Sequence, residues 1–169
     1  MIQRLLDGAT SLAVLAVCVL ILVQAVNSYN APPPPSISNN APASPATGQP
    51  MPAISGLDLA KSPRTLILAI QSSCHFCSES MPFYRELQQK KSAAIRLVVV
   101  APDDSATAKR YLDSNGLAPD AMATSNLPAI NVGGTPTLML VNAAGVIERV
   151  WMGKLSPARE KEVLAEISR

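Results

Sequence analysis

Apolar and polar positions divide the chain into three regimes. From about Ala9 to Val26 apolar residues run almost unbroken, and no formal charge occurs from Gly8 until Asp58. As a helix that run would be roughly 27 Å long at ~1.5 Å per residue, close to the ~30 Å hydrocarbon core of a bilayer. From Asn27 to Pro52 the composition turns to Pro, Ala, Ser and Asn, with too little apolar surface to pack, which predicts a disordered tether. Beyond Ala53 the pattern alternates between strand and helix. Thr65–Ile70 (TLILAI) and Ile95–Ala101 (IRLVVVA) are continuous apolar runs of strand length, as expected of buried central strands. Ser78–Lys91 predicts a helix with Met81, Phe83, Tyr84 and Leu87 on or near one face. Asp103–Gly116 predicts another, capped by Ser105. Leu117–Val132 carries only weak signals. Thr137–Asn142 and the run beginning at Val146 flank Ala143-Ala144-Gly145, a hairpin pattern. Ser156-Pro157 then opens a last helix with Val163, Leu164 and Ile167 as its buried stripe.

Three segments follow from this pattern: 1–26 an anchor or a signal, 27–52 a Pro-rich linker, and 53–169 one α/β domain. Arg4 precedes the apolar run, so its amino end should stay in the cytoplasm and the domain should lie outside. The rival to a single-pass anchor is a cleaved secretory signal, because Val23-Gln24-Ala25 has small residues at the spacing a signal peptidase accepts. The run is longer than a typical signal core, which favours the anchor and contact with the bilayer through residues 9–26. Cys18, flanked by Val17 and Val19 in mid-run, reads as a small hydrophobe.

Charge narrows the function classes. The formal net charge is +2, with Lys and Arg scattered among acids, so the electrostatic footprint of a nucleic-acid binder is missing.

The candidate chemistry is Cys74-His75-Phe76-Cys77, which holds two of the three cysteines and the only histidine. A purely structural disulfide would close a loop too short to constrain the unfolded chain much. A closed zinc site needs four ligands, and outside the motif only Cys18 remains among Cys and His. Cu(I), which accepts two thiolates, stays open as a metallochaperone alternative using the same cysteines. The redox reading has a mechanism: strand, short loop, then helix sets Cys74 at a helix amino end, where it is favoured as thiolate, and Cys77 one turn further in to resolve a mixed disulfide. A protonated His75 would add positive charge beside Cys74. A peroxidase is excluded, because Ile67 and Gln71 stand where the Pro-x-x-x-Thr-x-x-Cys pattern requires Pro and Thr.

Several motifs agree in order with a known family. Besides the Cys74–Cys77 pair there is Pro82, five residues on, at the place of an active-site helix kink. Gly133-Gly134-Thr135-Pro136-Thr137 matches a cis-proline loop, and Gly145 and Gly153 match the glycines of a final hairpin. On these residues Ala53–Arg169 resembles the thioredoxin superfamily, most closely the membrane-tethered thioredoxin-like thiol-disulfide oxidoreductases (redoxins) of the bacterial envelope. The resemblance implies a thioredoxin-like fold, a central mixed β-sheet flanked by helices, with an inserted helix and strand in Leu117–Val132. It implies thiol-disulfide exchange through a reversible Cys74–Cys77 disulfide, tuned by His75 and Phe76, with Thr135 and a cis Pro136 holding the substrate backbone. It implies no organic cofactor and no metal. The implied partners are envelope proteins with thiols or disulfides and a membrane electron donor or acceptor; the implied place is the cytoplasmic membrane, with the domain on the periplasmic or extracytoplasmic side. Two departures stand out: Ser73 replaces the usual tryptophan, and Leu68 stands where thioredoxin proper has a buried acid. Glu79, nearby in sequence, is expected to face water.

Overall fold

A computed structural model describes residues 44–169; the anchor or signal at 1–26 and most of the linker lie outside the described residues. Among the described residues no helix is long and apolar enough to cross a membrane.

Five strands form one mixed sheet: β1 (Arg64–Ala69), β2 (Ile95–Ala101), β3 (Ala121–Thr124), β4 (Thr137–Asn142) and β5 (Ile147–Met152). Their order is β3-β2-β1-β4-β5. β1 lies at the centre, parallel to β2 in the register Leu68↔Val99 and antiparallel to β4 in the register Leu68↔Leu138. Continuous apolar sequence is what such a position demands, because both faces of the strand are covered; five of the six β1 residues are buried. β2 pairs with β3 in parallel, and β4 with β5 antiparallel. The β4–β5 turn is built by Asn142, whose Oδ1 accepts from the N–H groups of Ala144 and Val146 at 3.0 Å each. Gly145 adopts φ +78° there, a conformation that costs glycine no Cβ clash.

The two faces of the sheet are covered differently. On one lie α1 (His75–Glu79), α2 (Met81–Lys90), α3 (Ser105–Ser114) and α4 (Pro157–Ile167). Met81, Phe83, Tyr84 and Leu87 of α2, Leu112 of α3, and Val163 and Ile167 of α4 bury against Leu66, Leu68 and Leu97 in one core. Leu164, expected in the buried stripe, is only partly buried at its margin. The other face is covered by Leu127 and Ile130 of a short 3-10 turn and by Met51 and Ile54 of the segment leading into the domain, packed on Ile67, Val98 and Met139.

Three local features differ from expectation. The helix expected over Ser78–Lys91 starts earlier, at His75, and is interrupted at Ser80. Pro82 has no N–H to give the Ser78 carbonyl, so the ladder breaks where the kink was expected. Asp104, not Ser105, caps α3, its Oδ1 accepting from the N–H groups of Ala106 and Thr107 at 3.1 and 3.0 Å; Ser105 is already the first helical residue, and a carboxylate at the cap also meets the positive end of the helix dipole. Leu117–Val132 holds the inserted strand β3, but its helical part is only the 3-10 turn Leu127–Ile130.

The chain also joins the sheet before Ala53. Pro50 bridges Val146, the Gly48 N–H donates to the Ile147 carbonyl at 2.8 Å, and the Ile147 N–H donates to the Gln49 carbonyl at 2.9 Å. Pro45 and Met51 are buried. Even a Pro-rich stretch can line a sheet edge, because the prolines lack only donors and their carbonyls and neighbours still pair.

Candidate active site

β1 ends under the cysteine motif. Beyond Ala69, the Ile70 N–H still donates to the Val100 carbonyl at 3.0 Å. The chain then turns, and Asp103, just past β2, accepts from both the Ser72 N–H (2.9 Å) and the Ser72 hydroxyl (2.7 Å). This carboxylate pins the loop that presents Cys74. Sequence reasoning passed over it; its position, directly after the carboxyl end of a central strand, is the signal that points to it.

Cys74 is the N-cap of α1, and its Sγ accepts from the Cys77 N–H at 3.2 Å. The thiol also contacts the Thr135 carbonyl at 3.4 Å across the site. Burial on one side opposes ionisation of Cys74. Hydrogen bonding from the Cys77 thiol, the Thr135 side chain and the backbone N–H groups of Cys77 and Phe76 outweighs it and holds the Cys74 thiol below its ordinary value. The donation to the Thr135 carbonyl favours the protonated form, but it is long and disappears on ionisation.

Cys77, one turn on, is fully buried among Leu68, Ile70 and Met81. Burial, with the hydrogen bond and charge of Cys74 behind it, pushes its thiol up to about 12. No carboxylate is among the groups acting most strongly on it, and Leu68 is itself fully buried in the same core. Tyr84 and Tyr111 are the polar neighbours instead: burial, followed by the charge the cysteines would carry, raises both phenols and keeps them protonated. Tyr111 is hydrogen-bonded to Ser78 at 3.0 Å.

His75 and Phe76 both face solvent. The His75 Nε2 lies 3.2 Å from Glu79 Oε1, one turn down α1, and is not among the strongest influences on Cys74. Glu79 does not merely face water: it also accepts from Lys154 Nζ at 2.9 Å, and that ammonium holds its carboxyl below the ordinary range. Phe76 is 54% exposed.

The second half of the site comes from far along the chain. The Thr135–Pro136 peptide bond is cis, as expected. The loop is fastened by the Thr137 hydroxyl donating to the Gly134 carbonyl at 2.7 Å and by the Gly153 N–H donating to the Pro136 carbonyl at 2.8 Å. Beside it opens a groove of about 440 Å³, walled by Gly133–Thr135 and Thr137, by Met152 and Gly153 at the end of β5, and by Ser44. Met152 and Ser44 were not anticipated. Among the described residues no group of three or more His, Cys, Asp and Glu side chains is placed to hold a metal ion.

The arrangement therefore offers one accessible sulfur biased toward thiolate, a second sulfur behind it, and a groove along the loop whose Thr135 carbonyl the first sulfur contacts. The chain matches no protein-family model and no curated protein. Its fold does match solved structures. A candidate thiol:disulfide interchange protein DsbE from Chlorobium tepidum aligns with TM-score 0.60 and 21% identity, over 75% of this chain and all of that one. A thiol:disulfide interchange protein from a Bacteroides species aligns at 0.55 and 19%, over 74% and 92%. StoA from Bacillus subtilis aligns at 0.52 and 21%, over 70% and 98%. Likeness of this kind identifies the architecture, and the described chain has a thioredoxin-like fold.

Proposed function

We propose that this protein is a thiol-disulfide oxidoreductase acting on extracytoplasmic proteins through a reversible Cys74–Cys77 disulfide. The observation that carries the reading is the opposite treatment of the two thiols, Cys74 partly exposed at the helix start and held below its ordinary value, Cys77 buried and pushed up to about 12. The solved structures of similar fold that are named as thiol:disulfide interchange proteins support it.

Both cysteines are free in the structure, which is the dithiol form. In that form the Cys74 thiolate attacks one sulfur of a substrate disulfide; a mixed disulfide forms and the other substrate sulfur departs as thiolate. Cys74 then carries no charge and no thiol, so two of the influences that raise Cys77 vanish. Cys77 yields its proton to solvent or to the departing thiolate and attacks the Cys74 sulfur, releasing the second substrate thiolate. Two electrons have passed to the substrate, and the domain holds one disulfide; the reverse sequence oxidises a dithiol. Cys77 thus becomes a nucleophile only after Cys74 has been used, which gives the steps their order. No organic cofactor takes part.

Thiol trapping tests the reading. Cys77→Ser should accumulate mixed disulfides on non-reducing gels, because attack persists and resolution does not, whereas Cys74→Ser should accumulate few. A two-coordinate Cu(I) site needs only the two sulfurs, so the reduced chain should also be titrated with Cu(I). Tight binding, weakened equally by either substitution and accompanied by no trapped partner, would replace exchange with metallochaperone function.

For location, the proposal is a single-pass anchor in the cytoplasmic membrane with the domain outside, where a membrane electron donor or acceptor would complete the cycle. The apolar run at residues 9–26 and the uncharged tether support it. Protease added to intact spheroplasts should clip the tether and release the domain; a protected domain would refute the topology.

A further inference from the structure

The groove beside the Pro136 loop has one wall that belongs to neither the cysteine motif nor that loop. It is Ser44, carried by the segment that leads into the domain. That segment pairs antiparallel with the residues that open β5. The Met51 N–H donates to the Gly145 carbonyl at 2.7 Å, Pro50 bridges Val146, and Gly48 and Gln49 exchange hydrogen bonds with Ile147. Burial of Pro45 then fixes the chain immediately below Ser44, which is exposed and meets the groove at the Met152 end of the strand.

The rest of the lining says what the groove takes. Gly133 and Gly134 are exposed, and among the described residues the backbone N–H groups of Gly133, Gly134 and Thr135 donate to no protein acceptor. Consecutive free donors on the loop whose Thr135 carbonyl Cys74 contacts suit an extended polypeptide backbone. Met152, 58% exposed, offers apolar surface, and no charged side chain lines the groove. Its volume of about 440 Å³ is at the lower end of the ~300–1,000 Å³ usual for ligand sites, so it admits a short stretch of chain and little bulk.

We propose that Ser44 is a specificity-determining residue of the exchange reaction: it limits the size of the side chains that an extended, uncharged substrate segment next to the reacting disulfide can place in the groove. The proposal rests on the oxidoreductase reading. Ser44 can play this part because the other walls are backbone, the Thr135 side chain, a hydroxyl already bonded within the loop, or a flexible methionine, whereas Ser44 is exposed and directly precedes the buried Pro45. The leading segment is then part of the recognition surface as well as a tether.

The test uses the full chain in mild detergent with two probes, a ten-residue peptide carrying a disulfide flanked by alanines and a small aromatic disulfide without a peptide backbone. Ser44→Trp should raise KM for the peptide at least tenfold with little change in kcat. It should leave turnover of the small disulfide and the alkylation rate of Cys74 unchanged, because neither needs the groove. If Ser44→Trp turns over the peptide like the parent, or slows both probes equally, Ser44 is no specificity determinant. A parent protein that turns over neither probe would instead overturn the exchange reading itself.

Discussion

One turn of helix separates Cys74 from Cys77, yet the surroundings of the two sulfurs are opposites. Cys74 caps α1, takes an N–H from Cys77, is partly exposed and contacts the Thr135 carbonyl. Cys77 has no exposed surface and packs against leucine and isoleucine. Their chemistry as amino acids is identical, so the whole difference in acidity comes from water access and from the direction of a few hydrogen bonds. A pair built this way is asymmetric before any substrate arrives.

The largest effect expected of that asymmetry is kinetic. At pH 7 a thiol near 12 is roughly 10⁻⁵ ionised, against at least about 10⁻² for one below its ordinary value, so iodoacetamide should modify Cys74 more than about 10³-fold faster than Cys77. The rate at Cys74 should rise with pH through a midpoint below that of a free cysteine, because the thiolate is the form that the fold favours. Mass spectrometry of the alkylated chain after peptic digestion reads both sites, and comparable rates would abolish the comparison.

A second, smaller effect concerns the loop that presents Cys74. Asp103→Ala leaves the Ser72 N–H and hydroxyl without their acceptor, which should cost about 1–2 kcal/mol at this partly buried place and move the midpoint of denaturant unfolding accordingly. The alkylation midpoint of Cys74 should shift while Cys77 stays unreactive. An unchanged unfolding midpoint would show that the clamp does not hold the loop.

The smallest effect belongs to the exposed rim. Glu79→Gln releases Lys154 and His75 and should speed alkylation of Cys74 by no more than about threefold, an advantage that salt near 0.5 M removes. A salt-insensitive change would point to altered packing of α1 instead of charge.

How much of this was legible in the sequence follows from how local each feature is. β1, β2 and β4 could be read because a strand buried on both faces writes itself as an apolar run, and β5 because Ala143-Ala144-Gly145 marks the turn before it. The cysteines and Pro136 were legible as motifs, since their spacing is short and their residue types few. The pairing of Glu79 with Lys154 was not, because it joins α1 to the loop after β5 and nothing in either segment names the other. The clamp from Asp103 to Ser72 spans two strand ends in the same way. β3 was implied only by the resemblance and not by its own residues, because its four positions alternate between half-buried and exposed and leave no apolar run. The reach of Pro45 and Met51 into the fold was hidden by composition: a stretch of Pro, Ala and Ser looks like a tether whether or not a sheet edge lies within its range.

That same edge has a consequence for how copies of the protein behave together. β5 is an outer strand, and an outer strand with a bare row of donors and acceptors invites a second chain to extend the sheet. Here the start of that row is taken by Gly48 and Gln49, and Pro50, which has no N–H, lies against it. The opposite edge, β3, is four residues long. Many copies crowded together would find the short β3 and the blocked start of β5 poor templates for extending the sheet.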